Sequence, residues 1–216
     1  DLRVIDYAIT NMDVRSTGSR LRGAMTYGVG APVLIVKDVN LELAPVDFAL
    51  LETLNGAKFP LPWKGRLTGT ARARGGPVNR FHVDEARLEF ADGNVPGATA
   101  VGSARGEVDL LHPGDAKFHG LQVDLAHFDL RTPQFLNADF PRLNGVVAGT
   151  AVLDSIWSDV RFHDADLTHS DGDSTPVSRF EGAGRVTLGD QYVVADVTVA
   201  ALPLSATTLA RSSATR

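Results

Sequence analysis

The stretch Val39-Asn40-Leu41-Glu42-Leu43-Ala44 alternates apolar with polar side chains. Successive side chains of a β-strand point to opposite faces of a sheet, so this two-residue period predicts a strand with one buried and one wet face. The alternation returns at Leu121-Gln122-Val123-Asp124-Leu125-Ala126, and more weakly at Val197-Thr198-Val199-Ala200-Ala201. We therefore expect most of the chain to form strands.

Turn residues separate these strand patterns at intervals of about ten residues. Glycine, asparagine and aspartate tolerate the positive φ that tight hairpins require. They cluster at Gly75-Gly76-Pro77, Asp92-Gly93-Asn94, His112-Pro113-Gly114-Asp115, Asp171-Gly172-Asp173 and Gly189-Asp190. This spacing predicts an antiparallel meander.

Two short segments have helical signals. The first is Val46–Leu54, with Asp47 as a possible cap and Gly56 as a stop. The second is Thr132–Asn137, with Thr132 at the cap and Pro133 in the first turn. Both patterns follow the rules for helix starts and stops. The predicted fold is therefore all-β with two short helices.

The chain also carries an internal similarity of about eighty residues, which indicates repeat architecture. The pattern Gly-x-x-x-Gly-Thr-Ala occurs at 65–71 and again at 145–151, each time shortly after a Phe-Pro pair. We predict one continuous segment with approximate repeats at 33–112 and 115–190 and partial copies at 1–32 and 191–216. The glycines interpreted as structural repeat positions are Gly65, Gly69, Gly106, Gly145, Gly149 and Gly184.

In both copies the apolar period slips within one strand. Phe81 and Val83 lie in one phase, whereas Ala86 and Leu88 lie in the other. A corresponding slip follows Phe162, where the apolar phase resumes at Ala165. One extra residue in a strand is a β-bulge, which bends the strand and increases its twist. The slips therefore predict a recurrent bulge and a curled sheet, open as an elongated groove.

Composition excludes several classes of function. The 26 acidic and 21 basic residues give a net charge of −5, so nucleic acid, which binds through many phosphate contacts, is not an expected partner. There is no cysteine, and hence no disulfide or thiolate site. The longest apolar stretch, residues 29–36, is far shorter than the roughly 20 residues of a membrane-spanning helix. Because residues 2–9 already have a strand pattern, we interpret the chain as part of a longer protein.

Catalytic and metal-binding interpretations are weaker than structural ones. His163 and His169 lie near several aspartates, but on one strand face they would be about 20 Å apart. Gly28-Val29-Gly30 does not complete a dinucleotide fingerprint. Asp84 with Glu85, or Asp164 with Asp166, could form a carboxylate pair, yet charges on the wet side of a strand explain them as well. We expect no enzyme activity, no cofactor and no metal.

The segment from Leu130 to Gly145, which contains Phe140-Pro141 and the start of the Gly-x-x-x-Gly strand, resembles the AsmA-like superfamily. It is most similar to TamB-type translocation and assembly module proteins. The resemblance implies a long sheet bent into a half-pipe in the periplasm, with the parent protein anchored in the inner membrane. It also implies a role in phospholipid movement or outer-membrane biogenesis, with outer-membrane assembly proteins as possible partners.

These observations lead to two hypotheses. In the first, the chain is a non-enzymatic segment of a lipid-transport bridge or outer-membrane assembly factor, and an apolar groove receives phospholipid or another acyl lipid. The residues predicted to line the groove are Val39, Leu41, Leu43, Leu121, Val123, Leu125, Val186, Leu188, Val197 and Val199. In the second, the chain is a β-sandwich binding or adhesion module of a surface or secreted protein, and a second sheet covers the same apolar face.

Overall fold

The computed structural model describes residues 4–50, 64–110, 116–132, 144–171, 178–188 and 193–202. In this part of the chain eleven strands follow one another: β1 (Ile5–Ser16), β2 (Ser19–Val29), β3 (Ile35–Asp47), β4 (Gly65–Pro77), β5 (Phe81–Asp92), β6 (Thr99–Asp109), β7 (Lys117–Asp129), β8 (Val146–Ile156), β9 (Asp159–Ser170), β10 (Ser178–Leu188) and β11 (Val193–Leu202).

All eleven strands belong to one sheet. Their spatial order is the same as their order in the chain, and every neighbouring pair is antiparallel. The sheet is not closed, since β1 and β11 have no pairing with each other among the described strands. The prediction of an all-β antiparallel meander that forms an open groove is thereby confirmed.

The two faces of the sheet differ in chemistry. Residues directly opposed in an antiparallel pair point to the same face, so the pairs Leu41–Ala71 and Ala71–Ala86 place three apolar side chains together. The pairs Asn40–Arg72 and Arg72–Glu85 place polar groups on the opposite side. We call these surfaces the apolar face and the polar face. The two-residue period seen in the sequence thus separates them.

Side chains on the apolar face are better buried than the polar side chains that alternate with them. In β3, Val39, Leu41 and Leu43 are half-buried, whereas Asn40 and Glu42 between them are exposed. Each described strand packs chiefly against its neighbours in the sheet, and no second layer of described strands lies on the apolar face. Apolar side chains of neighbouring strands screen one another, which accounts for this difference in exposure.

A hydrophobic cluster marks the most densely packed part of the apolar face. Ala73, Phe81, Val108 and Leu121 are buried at its centre. The half-buried side chains packed around them are Val36, Val39, Val83, Ala104, Phe118, Val123 and Leu153. These residues come from β3 to β8, so the cluster ties six consecutive strands together.

The predicted β-bulges are present in both copies. In β5 the register shifts between Val83 and Ala86 against β6, so that Asp84 and Glu85 lie opposite a single residue. In β9 the register shifts in the same way at His163 and Asp164 against β10, and Asp164 has a φ of 49°. The phase slip of the sequence therefore has the physical cause that was predicted.

The predicted start of the first helix is wrong. Val46 belongs to β3, pairs with Leu67 of β4 and is only 1% exposed. The strand ends at Asp47, whose Oδ1 accepts a hydrogen bond from the Ala49 amide at 2.9 Å, and residues 48–50 are helical. Burial of Val46 against β4 outweighs its helical pattern, and the capping role expected for Asp47 is confirmed. The remainder, to Leu54, lies outside the described residues.

The second predicted helix falls largely outside the described part of the chain. Thr132 is described as a buried 3₁₀ position, and residues 133–137 are not described. Just before it, Asp129 accepts hydrogen bonds from the Arg131 amide at 2.9 Å and from the Arg131 guanidinium at 2.6 Å. The carboxylate of Asp129 therefore closes the end of β7.

Candidate functional site: the apolar face

The apolar face is built from rows of side chains that cross the strands. One row alternates leucine with glycine through successive register pairs, and its members are Leu43, Gly69, Leu88, Gly102, Leu125, Gly149 and Leu167. Each glycine leaves space beside the leucines of the two adjacent strands. We call this the leucine–glycine row.

A second row of small side chains runs beside it. It contains Leu41, Ala71, Ala86, Ala104, Val123 and Ala151, again in consecutive register pairs. Ala165 lies in the β9 bulge next to Ala151 and pairs with Gly182 of β10. We call this the alanine row. Larger side chains border both rows, with Phe90 and Phe128 on one side and Phe81 and Phe118 on the other.

Two of the repeat glycines cannot carry a side chain in this arrangement. Gly69 has a φ of 138°, and a Cβ there would lie 2.0 Å from the carbonyl oxygen of Arg87. Gly149 has a φ of 130°, and its Cβ would lie 2.1 Å from the carbonyl oxygen of Asp166. Both positions therefore bring neighbouring backbones closer than any L-residue permits.

The other glycines singled out in the sequence lie at comparable close approaches. Their hypothetical Cβ atoms would lie within 3.0 Å of neighbouring protein atoms, and the residues are Gly65, Gly106, Gly145 and Gly184. At Gly184 the nearest atom belongs to the ring of Phe162, at 2.8 Å.

The described groove candidates share the apolar face. Leu121 is buried, and the half-buried members are Val39, Leu41, Leu43, Val123, Leu125 and Val186. In β10 and β11, Leu188 pairs with Val193, Val197 with Gly184, and Val199 with Gly182. The side chains of Leu188, Val197 and Val199 lie outside the described residues. The alanine row was not predicted from the sequence, because an isolated alanine does not indicate which face of a strand is buried.

One rim of the sheet collects the buried polar side chains. This rim holds the connections from β1 to β2, β3 to β4, β5 to β6, β7 to β8 and β9 to β10. The buried polar residues there are Ser19, Asp92, Asp129, Thr132, His169 and Ser178. Ser19 Oγ accepts from the Asp47 amide at 2.9 Å, and Asp92 Oδ1 accepts from the Asn94 amide at 2.7 Å. A polar border thus ends the apolar face along this rim.

The carboxylates on the polar face are held by cations. Asp84 and Glu85 do not act as a pair, since Asp84 contacts Arg74 at 2.8 Å and Glu85 contacts Arg87 at 2.7 Å. Asp164 and Asp166 are also engaged separately. Asp164 contacts His163 at 2.8 Å, and Asp166 receives two hydrogen bonds from Arg179, which lower the pKa of its carboxyl. These contacts stabilise a wet surface and do not form a convergent acid–base site.

His163 and His169 do not lie on one face, contrary to the expectation from a regular strand. The bulge at Asp164 reverses the alternation, so His163 lies on the polar face opposite Val152, and His169 on the apolar side opposite Val147. His169 is buried and its Nε2 lies 2.9 Å from the carbonyl oxygen of Asn144. Within the described ranges, no group of three or more acidic or histidine side chains is arranged to hold a metal ion.

A depression of about 460 Å³ lies on the polar side of β5 to β9. Its lining includes Glu85, Arg105, Gln122 and Asp164. Arg105 Nε donates to Gln122 Oε1 at 2.6 Å, and Glu85 is engaged by Arg87. Asp164 contacts His163 at 2.8 Å, so Glu85, Arg105 and Asp164 each already have a neighbouring partner.

Asp159 and Arg185 form a bidentate ion pair on this face. The guanidinium donates to both carboxylate oxygens at 2.6 Å, and Thr187 Oγ1 donates at 2.9 Å. These bonds lower the pKa of Asp159 to about 2. Because the folded pKa lies below the usual value of about 3.9, the stabilisation is present above that pH and is lost as pH falls towards 2.

We expect Arg185→Gln to raise the pKa of Asp159 towards its usual value, because the largest cause of the shift is removed. Carboxyl-detected NMR titration measures this change. Arg179→Gln, which removes the equivalent pair from Asp166, is the matched control and leaves the Asp159 midpoint in place. An Asp159 midpoint unchanged by Arg185→Gln would contradict the assignment.

None of the described helical segments has the length and apolar character to cross a bilayer. Comparisons of the chain with protein-family models, curated proteins and solved structures found no match.

Proposed function

We propose that this chain is a non-enzymatic segment of an envelope-biogenesis protein, in which the apolar face holds the acyl chains of phospholipid or a similar lipid. The observation that supports the proposal most is the continuity of the leucine–glycine and alanine rows from β3 to β9 in a single open sheet. A large contiguous apolar surface is rarely left without a partner.

The dimensions of the sheet suit a flexible hydrocarbon. Ten spacings of about 4.8 Å between eleven strands give a groove about 48 Å long. Removing about ten methylenes from water contributes roughly 8 kcal/mol at 0.8 kcal/mol each, before the cost of ordering the chain is subtracted. Because this interaction is non-directional, a row of leucines separated by glycines and alanines can hold an acyl chain without fixing one register.

A periplasmic location, with an inner-membrane anchor in the parent protein, belongs to the same proposal and is supported by the resemblance to TamB-type proteins. The adhesion-module alternative requires a second sheet over the apolar face. No described strand takes that place, so the lipid-binding proposal is favoured over the sandwich.

Mass spectrometry of lipids extracted from the purified chain tests the proposal. The chain is expressed in a Gram-negative periplasm and purified without detergent, and a cysteine-free soluble protein of similar size prepared in parallel is the control. We expect diacyl lipid at a fixed ratio to the chain. Extracts no richer in lipid than the control would contradict the proposal.

A further inference from the structure

A cluster on the polar face links the bulges of β7 and β9 across β8, which lies between them. His163 Nδ1 lies 2.8 Å from Asp164 Oδ2, and His163 Nε2 lies 3.2 Å from Asp154 Oδ2. The other oxygen of Asp154 accepts a hydrogen bond from the Gly120 amide at 2.8 Å. The contacts therefore run from β9 through β8 to β7.

Each end of this chain of contacts is an irregular position. In β7 the register shifts between Phe118 and Leu121, so that His119 and Gly120 lie opposite Asp154 alone. Gly120 has a φ of 63° and Asp164 a φ of 49°. Bulges set the local bend and twist of a sheet, so Asp154 and His163 join two of the places where the sheet curls.

The geometry favours the protonated form of the ring. A neutral imidazole has one N–H and one lone pair, whereas the imidazolium donates from both nitrogens. Both nitrogens of His163 face carboxylate oxygens, so only the cation satisfies both contacts. In a neutral ring, the nitrogen without a proton would direct its lone pair at a carboxylate oxygen, and that contact would not be a hydrogen bond.

We propose that His163 is a protonation-controlled clasp, which ties the β7 and β9 bulges together through Asp154 when the ring is charged and releases them when it is neutral. The clasp does not depend on lipid binding. Opening or closing the clasp affects the groove because the same strands carry Leu121, Leu153 and Phe162 on their apolar side.

The charged groups around His163 favour the cation. The charged residue of β8 that faces His163 is Asp154. On β9, the strand of His163 itself, the nearby charged residues are Arg161, Asp164 and Asp166. On β10, Glu181 and Arg185 flank the position opposite the bulge. Arg179 neutralises Asp166 and Arg185 is held by Asp159.

The hydrogen bond to Asp164 is the largest cause that raises the pKa of His163, and the field of Asp154 adds to it. Since the folded pKa exceeds the usual value of about 6.5, the clasp is fully closed below that pH and opens as pH rises through the higher folded value.

NMR titration of the whole chain tests the clasp through the Gly120 amide. We expect the Gly120 amide shift and the His163 ring shift to titrate with one midpoint above 6.5. In Asp154→Asn, the side-chain oxygen can still accept from Gly120, but we expect the amide shift to lose that dependence and the His163 midpoint to fall. In His163→Gln we expect the Gly120 response to be lost.

Asp124→Asn is the matched control, because it removes one exposed carboxylate from the polar face without touching this cluster, and it leaves both titrations in place. A Gly120 amide that does not follow His163, or that keeps the same midpoint in His163→Gln, would overturn the proposal and leave His163 as an ordinary surface histidine.

Discussion

We expect replacement of Leu41 and Val123 together with aspartate to abolish the co-purification of lipid with this chain. Both side chains lie in the alanine row and are half-buried on the apolar face. A carboxylate placed against hydrocarbon loses its hydration without gaining a partner, which costs several kcal/mol. That cost offsets most of the roughly 8 kcal/mol expected from ten buried methylenes. Lipid mass spectrometry measures the result.

The control variant carries the same two charges on the opposite face. Asn40 and Gln122 are exposed neighbours of the two residues in the sequence, so Asn40→Asp with Gln122→Glu changes net charge equally and leaves the apolar face intact. We expect normal lipid content in this variant.

The single variant Leu41→Asp tests the same point if the double variant does not fold, because the register partners of Leu41, Gly23 and Ala71, leave room for the aspartate side chain. Folding is followed by circular dichroism, and unchanged lipid in folded Leu41→Asp would count against the lipid proposal.

We expect replacement of Gly149 with alanine to destabilise the fold by about 3 kcal/mol or more. The new Cβ would lie 2.1 Å from the Asp166 carbonyl oxygen and 2.9 Å from Leu167 Cα, at a φ of 130°. The backbone strain and the collision both act on the β8–β9 pair. For a chain of this size the melting temperature falls by about 2–4 °C for each kcal/mol. Thermal unfolding followed by circular dichroism measures the loss.

Gly75→Ala is the matched control for this substitution. Gly75 also lies in a strand and has a φ of 51°, but no atom lies within 4 Å of the added Cβ. The left-handed conformation alone costs about 1–2 kcal/mol. An equal loss of stability in the two variants would show that close backbone approach at Gly149 is not what the structure requires.

The sequence predicted the features that depend on local periodicity. The two-residue alternation defined strands such as β3 and β7, and the phase slip after Val83 located the bulge of β5 before any contact was known. The division into repeats stays a prediction, although the segments with similar sequence occupy strands four apart in chain order.

Features that depend on packing between strands were not predicted. Val46 was predicted to start a helix, yet the register shift between Leu43 and Val46 lets β3 continue as a bulged strand that includes Pro45. Proline is tolerated at such positions because no ladder hydrogen bond is needed there. The alanine row and the contact of His163 with Asp154 arise from register across strands, which no single stretch of sequence contains.

Paramagnetic broadening of methyl resonances by a spin-labelled fatty acid tests most directly whether hydrocarbon binds to the apolar face only. We expect broadening of the methyl resonances of Leu41, Leu88 and Leu125 on the apolar face, while those of Val101 and Val152 on the polar face stay sharp. Sharp resonances throughout, or equal broadening on both faces, would contradict this expectation.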